Sequence, residues 1–160
     1  MFKSLSAPAA PRFARLSSKE GHIKHITLPA MAQSAILGPF AECSGRMNVP
    51  LEMNASTRTL DNLVSWCYNH RDDGPLTADE ERGRIGEMPE WDRRFLESVG
   101  GDEQLEELIY IADYLDVRKL VFYGHKFRAE KLAKKHEKTS AEKRKCVETQ
   151  SDSCKRFRGD

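Results

Sequence analysis

Residues 88–120 read MPEWDRRFLESVGGDEQLEELIYIADYLDVRKL, and two helices can be drawn from them directly. Pro89 suits the first position of a helix, where a missing N–H is no loss, and Trp91, Phe95 and Leu96 follow at helical spacing. Trp91 and Phe95 fall on one face. Gly100 and Gly101 end this element, because glycine readily takes the backbone conformation that closes a helix. Asp102 then caps the most regular segment of the chain, with Leu105, Leu108, Ile109, Ala112 and Leu115 on one side and Glu103, Glu106, Glu107 and Asp113 on the other. Such a stripe must pack on a core.

Further helices and strands extend outward from this stretch. Asn54 or Ser56 can cap a helix whose apolar residues Leu60, Leu63, Val64 and Cys67 recur at i, i+3, i+4 and i+7, with Trp66 beside them. Val49, Pro50 and Leu51 suit a brief edge strand, since proline donates no ladder hydrogen bond. Ala30 to Ile36 reads as a short helical patch, closed by Gly38 and Pro39. From Arg15 to Leu28 the pattern is a hairpin: Leu16, a polar turn at Lys19, Glu20 and Gly21, then Ile23, Ile26 and Leu28. Asp72 to Glu87 is acidic and Gly-rich, and is expected to be a solvated loop with too little to bury.

After Asp116 a last helix carries Leu120, Val121, Phe127 and Leu132, although Gly124 within it costs about 1 kcal/mol relative to alanine. Looser packing is expected there. Beyond Leu132 the sequence is polar and basic, and is expected to be a fraying helix followed by disorder. The resulting division is a disordered leader over 1–14, a folded domain over 15–132 with an acidic loop at 72–87, and a basic tail over 133–160.

Composition limits what such a domain can do. Of the 160 residues 32% are charged, and the mean hydropathy is −0.65, so the apolar side chains must be concentrated for a core to exist. Residues 1–19 and 130–160 each carry a local charge of +4, which with a total of +1 leaves −7 on the intervening body. An acidic body repels phosphate, which argues against a specific nucleic-acid face; only the arms could hold a polyanion. Four cysteines without a secretory signal or a two-residue zinc spacing read as reduced thiols. No apolar run approaches the ~20 residues that span a bilayer. The leader has the composition of a mitochondrial transit peptide, but Pro8 and Pro11 interrupt the helix such a peptide needs; cytoplasm and nucleus are the expected locations, with a mitochondrial leader as the lesser alternative.

Catalysis needs a reactive group, an activator and a means of stabilising developing charge. No such set is legible. There is no Gly-rich phosphate loop, no serine elbow and no histidine pair at metal spacing; His22, His25 and His70 share no helical face. No cofactor is expected, and function through binding follows.

Specific residues then carry a resemblance. Val49, Pro50 and Leu51, then Leu60, Val64, Trp66, Cys67 and His70, then Asp72 and Asp73, resume at Met88, Pro89, Trp91, Asp92, Phe95 and Leu96. The series ends with Leu105, Leu108, Ile109, Ala112, Tyr114, Leu115 and Asp116. In this the chain resembles the Skp family, adaptors that link cullin scaffolds to F-box proteins in SCF ubiquitin ligases. The acidic loop followed by Pro, Trp, Asp, Phe and Leu sets that family apart from elongin C.

The resemblance implies an α/β fold of BTB/POZ type: a small three-stranded sheet flanked by helices, with a C-terminal F-box-binding extension. It implies a cullin-binding pair at Asp113 and Tyr114, where Asp113 departs from the family's asparagine. It implies F-box contacts at Leu105, Ile109, Leu120 and Val121, each of which could equally be plain core. Arg128 and Lys143 fall on family apolar positions, and the family's last helix has no counterpart before Asp160. A degenerate or truncated extension with weakened F-box binding is therefore expected. The rival expectation is a decoy that binds a cullin, or itself as a homodimer, and has lost the F-box.

Overall fold

The computed structural model describes residues 13–42, 50–74 and 76–154, with side chains over 13–39, 50–74 and 76–139. Its backbone divides into two units, Met1–Gly124 and His125–Asp160.

In the first unit, β1 (Phe13–Ser17) and β2 (Ile23–Thr27) form the expected hairpin, antiparallel and in register from Phe13 opposite Thr27 to Ser17 opposite Ile23. Gly21 takes a φ of +82°, a conformation that costs glycine little, and its N–H bonds to the Ser18 carbonyl at 2.9 Å. Side chains alternate along a strand, so Ala14, Leu16 and Ile26 are buried on one face. The brief strand β3 (Leu51–Glu52) pairs parallel to β1, Leu16 opposite Leu51, and gives the sheet order β2-β1-β3. The edge position expected from Pro50 is observed; Val49 lies outside the described residues.

The helical patch expected over Ala30 to Ile36 is instead split into α1 (Leu28–Met31) and α2 (Leu37–Glu42). Ser34 is the cause. Its buried hydroxyl donates to the Leu115 carbonyl and accepts the Leu37 N–H at 3.0 Å, and a side chain serving both groups favours a turn over a continuing helix.

The helix α3 (Thr57–Asn69) is capped by Ser56, whose Oγ accepts the Thr59 N–H at 3.3 Å. Its buried face is formed by Thr59, Leu60, Leu63, Trp66 and Cys67; Val64 is only half-buried, so Trp66 occupies the centre of the stripe and not its margin. The acidic segment contains one turn of helix, α4 (Ala78–Glu81). It starts from a capping box in which Thr77 Oγ1 accepts the Glu80 N–H and Glu80 Oε2 accepts the Thr77 N–H.

Next come α5 (Glu90–Ser98), begun at Pro89, and α6 (Asp102–Tyr114); Gly100, at φ +118°, makes the bend between them. Leu105, Leu108, Ile109, Ala112 and Leu115 are all buried, as the periodicity requires. The core lies where α3 packs on α6, α1 and β2. Each large apolar side chain fully buried there contributes roughly 1.5–3 kcal/mol.

The last helix, α7, runs from Arg118 to Cys154 and extends into the second unit. Looser packing around Gly124 is not what is found. A Cβ built at Gly124 would come within 2.6 Å of Ile109 Cγ1, so this glycine is the point at which α7 closes on α6. In the second unit, residues 131–139 are exposed throughout, Leu132 included.

Candidate functional site

The exposed face of α6 is the opposite of its buried stripe. Asp113 and Tyr114 stand on it at the helix's C-terminal end, and Tyr114 is 57% exposed. One turn earlier Tyr110 is 61% exposed, in the i, i+4 relation that aligns two side chains on a helix surface. Two large aromatic rings are thus presented to solvent among the acids Glu103, Glu106 and Asp113. A tyrosine carries much apolar area and a polar tip at small entropic cost, which is why it is enriched at the centres of protein interfaces. Tyr110 was legible as an aromatic on the polar side of the stripe, but its spacing from Tyr114 matters only once both are known to be exposed.

The four other residues assigned to a binding face are placed differently. Leu105, Ile109 and Leu120 are 2%, 6% and 1% exposed, all within the first unit's core, and Val121 is half-buried. Of these only Val121 offers accessible side-chain surface without movement of a helix. Arg128 is exposed on α7; the side chain of Lys143 lies outside the described residues.

A polar cluster beneath the surface was not foreseen. Asp92 is fully buried, and its Oδ1 accepts Trp66 Nε1–H at 2.7 Å and lies 3.1 Å from His70 Nε2. On its other side His70 Nδ1 is 2.7 Å from Asp73 Oδ2. The imidazole also stacks on Trp66, with centroids 4.0 Å apart, and meets the edge of Trp91, which stacks in turn on Phe95 as their shared face implied. An imidazole with a carboxylate on each nitrogen is suited to the doubly protonated cation. Burial alone would lower its pKa, yet the bonds to Asp92 and Asp73 prevail and hold it above the usual histidine value. The cluster fixes α5 to α3 and to the opening of the acidic segment.

A second carboxylate acts at the other end of α3. Glu107 Oε1 accepts the Ser56 N–H at 3.0 Å and Lys19 Nζ–H at 3.1 Å; its Oε2 accepts the hydroxyls of Ser56 and Thr59. Partial burial acts to raise its pKa, but the bonds from Ser56, Thr59 and Lys19 outweigh that and bring it down to about 2. Glu20, from the hairpin turn, accepts the Thr57 N–H and hydroxyl, each at 2.7 Å. These anions lie where a helix leaves N–H groups unsatisfied and its dipole favours negative charge.

The two shifts predict opposite pH limbs. Glu107, held below its free value of 4.5, adds stability above that pH, and the contribution is lost as pH falls towards about 2. His70, held above 6.5, adds stability below that pH, and it is lost as pH rises through the raised folded value. Denaturant midpoints followed against pH should therefore form a plateau between these free values and decline on both sides. Glu107→Gln should flatten the acid limb and His70→Gln the alkaline one; limbs that persist unchanged in both variants would rule out this assignment.

Between the His70 cluster and the start of α7 is a cleft of about 400 Å³, lined by Gln33, Trp66, Asp73, Asp116, Arg118 and Lys119 among others. Its cations are paired, Arg118 with Asp116 at 3.1 Å and Lys119 with Glu80 at 3.3 Å. Gln33 donates to the His70 carbonyl at 2.7 Å. These bonds brace the chain around the cleft.

No family model matches the chain. Among curated proteins it is similar to the "E3 ubiquitin ligase complex SCF subunit sconC" of Arthroderma benhamiae, 29% identical over 115 residues that make up 69% of each chain. The protein of the same name from Talaromyces stipitatus is 31% identical over 97 residues, 59% of each chain. "Suppressor of kinetochore protein 1" of Schizosaccharomyces pombe is 29% identical over 99 residues, 59% of this chain and 60% of its own. These similarities, together with the mixed α/β architecture and small three-stranded sheet described above, support a relation to the Skp family.

Proposed function

We infer that this chain is the adaptor subunit of an SCF-type cullin-RING ubiquitin ligase, with a BTB/POZ-type body that links a cullin to F-box substrate receptors. The observation that carries this reading is kinship with proteins named as SCF subunits. Its contribution to the ligase is binding, and the transfer chemistry belongs to other subunits. Asp113 and Tyr114 are the proposed cullin contacts, and their exposure at the end of α6 supports the assignment. Tyr110 extends the same surface by one turn.

F-box proteins are proposed to be held more weakly than in the family at large. Leu105, Ile109 and Leu120 are committed to the core, Val121 remains accessible, and Arg128 brings a charge to an apolar position of the family's extension. Burying such a charge unpaired costs several kcal/mol, so the contact is more readily left unmade.

The test is titration of the full chain with a cullin N-terminal fragment, with and without an F-box segment. Tyr114→Lys should weaken cullin binding at least tenfold, roughly the loss of one interface anchor, while leaving the melting temperature unchanged. Unaltered affinity in that variant would remove Tyr114 from the interface, and no cullin binding by the parent chain would remove the adaptor reading itself.

A further inference from the structure

We propose that the exposed basic stretch of α7 in the second unit binds double-stranded DNA through its phosphate backbone, independently of sequence. Arg128, Lys131, Lys134, Lys135 and Lys138 are all exposed on this helix. At 3.6 residues per turn they fall within an arc of about 120° and span about 15 Å of helix axis. Glu130 and Glu137 fall outside that arc. The mean axial interval between the five cations is close to the ~3.4 Å by which phosphates follow one another along one strand of DNA.

The same stripe burdens the helix itself. Lys134 with Lys138 is a like-charged i, i+4 pair, which taken alone destabilises an exposed helix by a few tenths of a kcal/mol. A phosphate lattice laid along the arc relieves that repulsion and releases condensed counterions.

Other occupants fit less well. A helix that lies in a membrane interface needs an apolar face, and residues 131–139 offer only Leu132 and Ala133. An acidic protein surface would supply charge, but interfaces between proteins are anchored by buried aromatic or aliphatic groups that this stretch lacks. A bare helix of ~10–12 Å diameter matches the B-form major groove, whereas the deep, narrow groove of duplex RNA excludes it.

The test measures the full chain against a fluorescently labelled DNA duplex of arbitrary sequence by anisotropy, over about 50 to 200 mM salt. The logarithm of affinity should fall with the logarithm of salt at a slope of about −4, one increment for each neutralised phosphate. The charge-reversed variant K134E/K135E/K138E should make that slope shallower by about 3 and weaken binding at low salt at least tenfold. Its melting temperature should equal the parent's, since all three positions are exposed. Reversing the leader charges in K3E/R12E should leave binding within twofold of the parent. A parent slope shallower than about −2, full binding by the helix variant, loss of binding in the leader variant, or tighter binding to polyglutamate or duplex RNA would each overturn the proposal.

Discussion

Asp92→Ala should lower the unfolding free energy by about 3–5 kcal/mol, the loss typical when one partner of a buried ionic contact is removed. For a domain of this size that corresponds to a fall in melting temperature of at least about 10 °C. The reason lies in what remains: Trp66 Nε1–H, 2.7 Å from the carboxylate, and His70 Nε2, 3.1 Å from it, would both face a cavity in which nothing accepts them. Asp92 Oδ2 has no hydrogen-bond partner among the described residues, so the carboxylate already bears a desolvation penalty that only its Oδ1 contacts offset. Asp92→Asn keeps an acceptor for the indole and should be milder than Asp92→Ala. Thermal melts of the three proteins decide the matter; a variant Asp92→Ala that melts within two degrees of the parent would show that the cluster is incidental to stability.

Gly124→Leu is expected to destabilise the protein by about 2 kcal/mol, against the direction that helix propensity gives. By propensity alone, replacing a glycine inside an exposed helix improves stability by nearly 1 kcal/mol. Here the first added carbon would stand 2.6 Å from Ile109 Cγ1 and 3.1 Å from its Cδ1, a clash with a buried side chain that has little room to retreat. Overpacking of this kind costs typically 1–3 kcal/mol. Urea unfolding should show a lower midpoint with an unchanged slope, and Gly124→Ala should shift it in the same sense by less. A midpoint higher than the parent's in either variant would mean that α7 is free to move off α6.

The two variants also mark where the sequence was readable and where it was not. The α6 stripe was legible because five apolar residues recur at the helical period, and nothing else explains such spacing. The hairpin was legible for the same reason at the period of a strand, with Gly21 supplying the turn. Asp92 was not. It sits in a helix where Glu90, Arg94 and Glu97 face water, and only the fold brings Trp66 of α3 and His70 at its end to it; charge alone argues for the surface.

Gly124 was misread because a propensity scale describes a helix in isolation, whereas its meaning here is the distance to Ile109. Ser34 divided an expected helix because its hydroxyl found the Leu115 carbonyl, a partner far off in sequence. The single turn α4 did have a local sign, Thr77 followed three residues later by Glu80, but the acidity of the surrounding segment masked it. Of the surface residues, the exposure of Asp113 and Tyr114 follows from their place opposite the stripe, while Leu105, Ile109 and Leu120 belong to it. The same periodicity could not say whether an apolar residue is covered by this chain or by a partner.

The start of α3 has a consequence for how the first unit opens. Its amides are not closed off by Ser56 alone: Glu107 of α6 takes the Ser56 N–H, and Glu20 of the hairpin turn takes that of Thr57. Ordinary helix ends fray because their caps are local and can detach one residue at a time. Here the first turn can detach only if both carboxylates release it. Hairpin turn, α3 and α6 are thus joined at the start of α3 by side-chain hydrogen bonds that come from two other elements.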